Sequence, residues 1–261
     1  MVEPYAFIRV NREIATVQTS LESIAPVIKR GVIGYHLSLD DSQDDGTVEY
    51  LKFFCQQNPG YKLFCYPHKV YPANHPAYKN LAQIPVAERL DSFYNAVLAQ
   101  IPANEWLIKI DCDQIYHPGL LKLFLSRDYN PNWVIYWGKY NLHYDIKSQR
   151  LYNIKKPAIS FEFDHWLIYN KDLHFIFCSG VKEDNFFAWE YLDISDRIDS
   201  GELKLVQAPI FNWHFPYMKA WRPVDFTGLV PYRPLKNEWL PDIMTDQETI
   251  LRICRTFIDT K

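Results

Sequence analysis

Apolar positions in the first 116 residues alternate between two periods. Tyr5–Val10 is a nearly continuous apolar run and reads as a buried strand, after which Ile14, Val17, Leu21, Ile24, Val27 and Ile28 recur at helical spacing. A second strand is expected over residues 31–39, running into an acidic turn at 40–47. A helix is expected from 48 to 57, ended by Asn58-Pro59-Gly60, and a third strand over 61–66. Strand–helix–strand–helix–strand predicts an α/β layer on a mostly parallel sheet.

The Pro-rich stretch 70–85 has little periodicity and reads as a loop. Residues 86–101 read as a helix, with Val86, Leu90, Phe93, Val97 and Ile101 on one stripe and Pro102 ending it. The strand expected over 106–110 then delivers Asp111-Cys112-Asp113 at its carboxyl end. Beyond it the pattern predicts helices over Pro118–Leu125, 184–198 and 246–258. Strands are expected over 133–144, Arg150–Ile154, 165–169 and 205–213.

Composition narrows the function. The 261 residues carry 28 Lys+Arg against 31 Asp+Glu, a net charge of −3, which argues against a nucleic-acid binder. Five Cys without C-x-x-C spacing disfavour a disulfide framework and suit a reducing, cytoplasmic compartment. No apolar run is long enough to span a bilayer and no signal segment opens the chain, so any membrane contact is expected to be peripheral. G-x-G-x-x-G, P-loop, G-x-S-x-G and H-E-x-x-H motifs are missing, which disfavours dinucleotide oxidoreductases, P-loop kinases, α/β-hydrolases and zincins.

Asp111-x-Asp113 is the leading chemical feature. Ligands of parallel sheets bind beyond the strands' carboxyl ends, and two carboxylates at i and i+2 on a turn can face one hard cation such as Mg²⁺ or Mn²⁺. The plainer alternative is a solvated turn. His214, at the end of the expected 205–213 strand, could complete such a site, or pack among aromatics with one hydrogen bond. Lys219 could reach a diphosphate as a point charge. Glu190, in an otherwise apolar run, would be partly desolvated and so suited to act as a general base; Glu183 and Asp184 compete for that role, and an exposed helix face is the plainer reading. Arg9, Asn11 and Glu13 leave the first strand, and Asp40 and Asp41 the second, where they could contact a nucleotide. Arg89, off the apolar stripe of its helix, could face a diphosphate or only solvent.

Several blocks resemble a known family. AFIRVN (6–11), SLES (20–23), KRGVIGY (29–35), FCQ (54–56) before NP (58–59), YPHKV (66–70), SFYN (92–95) and IPANEWLIKIDCDQIY (101–116) are similar to a bacterial β-1,4-N-acetylgalactosaminyltransferase family. NLHY (141–144) and NWHFP (212–216) extend the likeness, which is dense up to residue 116 and patchier afterwards. Known members build ganglioside-mimicking lipooligosaccharide.

The resemblance implies a single GT-A domain over 1–261, with a nucleotide-sugar half (1–116) and an acceptor half (117–261). It implies a UDP-sugar donor, for which Arg9, Asn11, Glu13, Asp40, Asp41, Arg89, Asp111, Cys112 and Lys219 are the candidate contacts. It further implies Mn²⁺ or Mg²⁺ held by Asp111 and Asp113 with His214, and an inverting transfer with Glu190 as base. GalNAc, β-1,4-linked, to an oligosaccharide or glycolipid acceptor is the expected reaction, at or near the inner face of the inner membrane. Trp137, Tyr140, Trp166, Trp189 and Trp221 could stack on acceptor sugars or belong to the core. Two departures from the family pattern are a longer acidic turn at 40–47 and the lack of an N-terminal extension ahead of the first strand. UDP-galactose, UDP-N-acetylglucosamine or UDP-glucose would need only local pocket changes. A nucleotidyltransferase and a non-catalytic carbohydrate-binding protein remain the rival classes.

Overall fold

Seven strands form the central sheet of the protein, seen in a computed structural model that describes residues 2–37, 45–73, 75–155, 157–182, 185–219 and 222–258. From one edge they run Lys204–Ala208, Trp133–Trp137, Trp166–Tyr169, Trp106–Asp111, Tyr5–Val10, Arg30–Leu37 and Tyr61–Lys69. Only Trp166–Tyr169 runs against the others. This is the mostly parallel, helix-flanked sheet of the GT-A type. Three of the seven strands come from beyond residue 117, so the later part of the chain completes the sheet that the first part begins.

Alternation along the inner strands fills both faces. Ala6, Ile8 and Val10 pack with Ile108 and Ile110 under the helices Ile14–Ile24 and Thr47–Gln57. Phe7 and Leu107 point the other way, onto Phe93 and Val97 of the helix Leu90–Leu98. Strands buried on both faces read as continuous apolar runs, which is why these were visible in the sequence.

A second sheet lies beyond the end of the first. It contains Leu229–Pro231, Arg150–Ile154, Lys139–Asp145, Asn212–His214 and Gln114–Tyr116, with Ile159–Ser160 paired to Lys139–Asp145. Among the described residues the chain crosses between the sheets repeatedly. One crossing is the Asp111-to-Gln114 turn. Another is Gly138, which splits the strand expected over 133–144 into Trp133–Trp137 in the first sheet and Lys139–Asp145 in the second. A Cβ on Gly138 would stand 2.7 Å from the Ser160 carbonyl oxygen and 2.8 Å from the Phe161 ring. The two layers approach closely only because that position is glycine.

Other expectations are corrected. The 205–213 segment is two strands, Lys204–Ala208 and Asn212–His214, parted at Pro209, which has no N–H for a ladder. The helix expected over 86–101 is shorter: a 3₁₀ turn at Val86–Glu88, an extended Arg89, then Leu90–Leu98. Within 70–85, Pro76–Gln83 is 3₁₀-helical, started by Pro76 and by His75 Nδ1, which accepts from the Ala77 N–H. The expected 184–198 helix is instead the strand Asn185–Leu192 followed by a short helix, Ser195–Asp199. That strand pairs with Phe175–Lys182 in an antiparallel hairpin, where its aromatic run finds cross-strand partners. Among the described residues no helix is long and apolar enough to cross a membrane.

Gly138→Ala should destabilise the fold by about 1–3 kcal/mol, the usual cost of overpacking. A thermal melt of the variant checks this, and a Tm equal to wild type would show that the layers can part there without cost.

Candidate active site

The site forms where the two sheets meet. Asp111 ends the Trp106–Asp111 strand in register with Arg9, and the chain crosses to the second sheet through Cys112 and Asp113. Gln114 then pairs with His214, and His214 also pairs with Asn141. The ladder that starts at the D-x-D turn thus brings His214, 101 positions from Asp113, to its side, together with Asn141, 73 positions from His214.

Asp111 is gripped by cations. Arg9 Nη2 donates to Oδ1 at 2.6 Å; Lys109 Nζ and His165 Nε2 lie 3.2 and 3.0 Å from Oδ2. Lys109 also pairs with Asp164. Burial favours the neutral acid, but Lys109, Arg9 and His165 outweigh it and hold the Asp111 carboxyl well below its usual range. Asp164 is lowered in the same way, burial being outweighed chiefly by Lys109.

Asp113 has a different set of partners. Its Oδ2 lies 3.1 Å from Lys219 Nζ and 3.3 Å from His214 Nε2. Burial again favours protonation, and Lys219 and His214 again prevail, so the carboxyl stays ionised. Burial lowers the His214 pKa, against the opposing pull of Asp113. Lys219 also reaches Glu13 Oε1 at 2.9 Å. Arg12, with a left-handed φ of 54°, makes the turn that carries Glu13 there. Burial pushes Glu13 up to about 7 in spite of Lys219.

Glu190 faces the same cluster from the hairpin. Its Oε1 is 3.6 Å from Arg9 Nη1, and the Arg9 guanidinium lies 3.7 Å above the Tyr94 ring. Burial raises the Glu190 carboxyl to about 7, opposed by Arg9 and Lys109. One guanidinium therefore joins the first Asp of the D-x-D to the expected base.

A cavity of about 650 Å³ opens over this floor, lined by Asp111, Asp113, Asp164, Lys139, His214 and Lys219 among others. Next to it lies a smaller, mostly apolar hollow of about 180 Å³ walled by His143, Tyr144, Tyr217 and Phe226; Tyr217 borders both.

A family model for β-1,4-N-acetylgalactosaminyltransferase (CgtA) matches residues 1–238, spanning both sheets and every group just described. The chain belongs to the β-1,4-N-acetylgalactosaminyltransferase (CgtA) family. It is a glycosyltransferase. A search of curated proteins found no match.

Within this CgtA-family site, several residues expected from the sequence come together: Arg9, Glu13, Asp111, Asp113, Glu190, His214 and Lys219. Others do not. Cys112, in the turn between the two acids, is fully buried in the apolar core with Val17 and Leu21. Arg89 Nη2 donates to the Leu81 and Ile84 carbonyls and so pins the preceding 3₁₀ segment. Asn11 is half-buried just past the first strand. Trp137, Tyr140 and Trp166 are core residues, while Trp189 is exposed. Asp40, Asp41, Glu183, Asp184 and Trp221 lie outside the described residues.

Sequence reasoning missed Lys109, Lys139, Asn141, Asp164 and His165. Lys109 carried a signal, a lone charge inside an apolar strand two residues before Asp111. Asp164 and His165 precede a strand whose antiparallel direction brings its start beside the end of Trp106–Asp111.

Two groupings could hold a divalent ion. Ligand atoms of Asp111, Asp164 and His165 lie within 4.8 Å of one another, but the buried Lys109 ammonium already bonds both carboxylates. Asp113 and His214 fit better. Their cationic neighbour, Lys219, borders the open cavity, and an ionised carboxylate with an imidazole nitrogen is a suitable donor pair for Mn²⁺ or Mg²⁺.

Replacing Asp111 by Asn should cost about 3–5 kcal/mol, because Arg9 and Lys109 would be left buried without their shared counter-charge. Chemical denaturation of the variant checks this, and a loss under about 1 kcal/mol would mean that water solvates those cations.

Proposed function

We propose that this protein is a metal-dependent, inverting transferase that moves N-acetylgalactosamine from UDP-N-acetylgalactosamine to a sugar hydroxyl of a glycan or glycolipid acceptor. The carrying observation is the convergence of Asp113 Oδ2, His214 Nε2 and Lys219 Nζ at the floor of the larger cavity, beyond the carboxyl ends of the parallel strands. Family membership supports the GalNAc donor.

Asp113 and His214 would hold Mn²⁺ or Mg²⁺, which when bound supplies positive charge to the donor diphosphate and to departing UDP. Lys219 adds a fixed positive charge at the same place and stabilises charge on the leaving group. Asp111 orients Arg9, and Arg9 in turn steadies Glu190. Glu190 accepts the proton of the acceptor hydroxyl as that oxygen attacks the anomeric carbon from the face opposite UDP. The C–O bond to UDP breaks as the new glycosidic bond forms, and the anomeric configuration inverts. A carboxyl raised to about 7 is strong enough as a base for this and is substantially ionised near neutral pH. The aromatic hollow shared through Tyr217 gives the acceptor an apolar wall on which a sugar ring can stack. Acceptors of this kind, if lipid-linked, would bring the protein to a membrane surface from the nucleotide-sugar side.

The direct test is transfer from a panel of UDP-GalNAc, UDP-galactose, UDP-GlcNAc and UDP-glucose with Mn²⁺ or with EDTA. Turnover should be greatest with UDP-GalNAc, stop in EDTA, and be lost in Asp113→Ala although that variant melts cooperatively. Full turnover in EDTA would remove the metal from the mechanism, and preference for another donor would reassign the sugar.

Glu190→Gln should slow transfer by roughly 10²–10⁴-fold and spare UDP affinity. Because the carboxyl is protonated and inactive below its pKa of about 7, wild-type kcat should rise with pH through that region and level off above it. A residual rate within about tenfold of wild type, or an unchanged pH profile in the variant, would assign the base elsewhere.

A further inference from the structure

We infer that Asn141 is a positioning residue that fixes the proton of His214 on Nδ1 and so presents Nε2 toward Asp113 as a metal ligand. The inference rests on the metal-dependent reading above and adds a residue to it.

The Asn141 carboxamide has one orientation that satisfies all its neighbours. Its nitrogen end faces two acceptors: Nδ2 donates to the Pro157 carbonyl at 2.8 Å and to Ser160 Oγ at 3.2 Å. A flipped amide would set an oxygen against the Pro157 carbonyl. The Oδ1 end therefore faces His214, 2.6 Å from Nδ1, and since Oδ1 can only accept, Nδ1 must carry a hydrogen. That leaves Nε2 directed at Asp113 Oδ2, 3.3 Å away. In the neutral imidazole with hydrogen on Nδ1, Nε2 and the carboxylate oxygen are both acceptors, and a cation shared between them would satisfy both.

The backbone keeps this relay in place. Asn141 pairs with His214 across a parallel ladder, and its own N–H donates to the Ala158 carbonyl at 2.8 Å. The neighbouring register Lys139↔Ser160 holds Ser160 beside the side chain. Asn141 is only 5% exposed, so water is a poor substitute for any of these partners. Outer partners of histidine ligands typically change metal affinity by roughly 10–100-fold.

The experiment compares Asn141→Leu and Asn141→Asp with wild type by titrating each metal-free protein with Mn²⁺ and following free Mn²⁺ by electron paramagnetic resonance. Asn141→Leu keeps the branched shape and removes the acceptor; its Mn²⁺ affinity should fall roughly 10–100-fold. Asn141→Asp keeps an acceptor for Nδ1–H and should bind Mn²⁺ more tightly than the Leu variant. Equal affinity in Leu and wild type would overturn the inference. In wild type, ¹⁵N-edited NMR should show a hydrogen on His214 Nδ1; a bare Nδ1 overturns the inference whatever the variants do. Failure of the wild type to bind Mn²⁺ at all would instead sink the metal-dependent reading, and the Nδ1 hydrogen would still decide the orientation of Asn141.

Discussion

The carboxylate of Asp111, held by Arg9 and Lys109, is the interaction on which the rest of this site depends. Both cations are almost wholly buried, and this carboxylate is the counter-charge they share. Asp111 also stands where the chain leaves one sheet for the other, so the ion pairs sit at the junction of the two. Through Arg9 the same carboxylate reaches Glu190 on the hairpin, which belongs to neither sheet. Electrostatic neutralisation and chain path are one constraint here.

The two carboxylates of the D-x-D turn are chemically unlike because their neighbours differ. Asp111 is bound to cations that cannot move: Lys109 is enclosed, and Arg9 is stacked on Tyr94. Asp113 is bound to groups that border the cavity, His214 and Lys219. Glu13 backs Lys219 from below, so the ammonium lies between two acids and keeps its proton: burial favours its loss, but Asp113 and Glu13 prevail. In a buried site so dense in charge every acid has a cationic partner, and Arg9, Lys109 and Lys219 are each shared between two acids.

Much of this was legible in the residues. The D-x-D turn stood out because an apolar strand led straight into it, and His214 because it ended another. Glu190 was legible as a desolvated acid, but its element was misread, since an aromatic run of eight residues satisfies a helical stripe and a strand equally well. Asn141, Asp164 and His165 carried almost no signal. Each is a polar residue on or beside a strand, and its importance comes from a neighbour dozens of positions away.

The sequence by itself determined the parallel front of the sheet, the flanking helices and the placing of two acids at a strand end, because local periodicity and burial on two faces are written in consecutive residues. Membership of the CgtA family was likewise visible in the blocks around the D-x-D turn. Only the tertiary structure decided which cations neutralise each acid, and that Cys112 turns into the core. Those outcomes depend on distances between residues remote in the chain and on how far each pair is removed from water, and neither quantity exists until the two sheets meet.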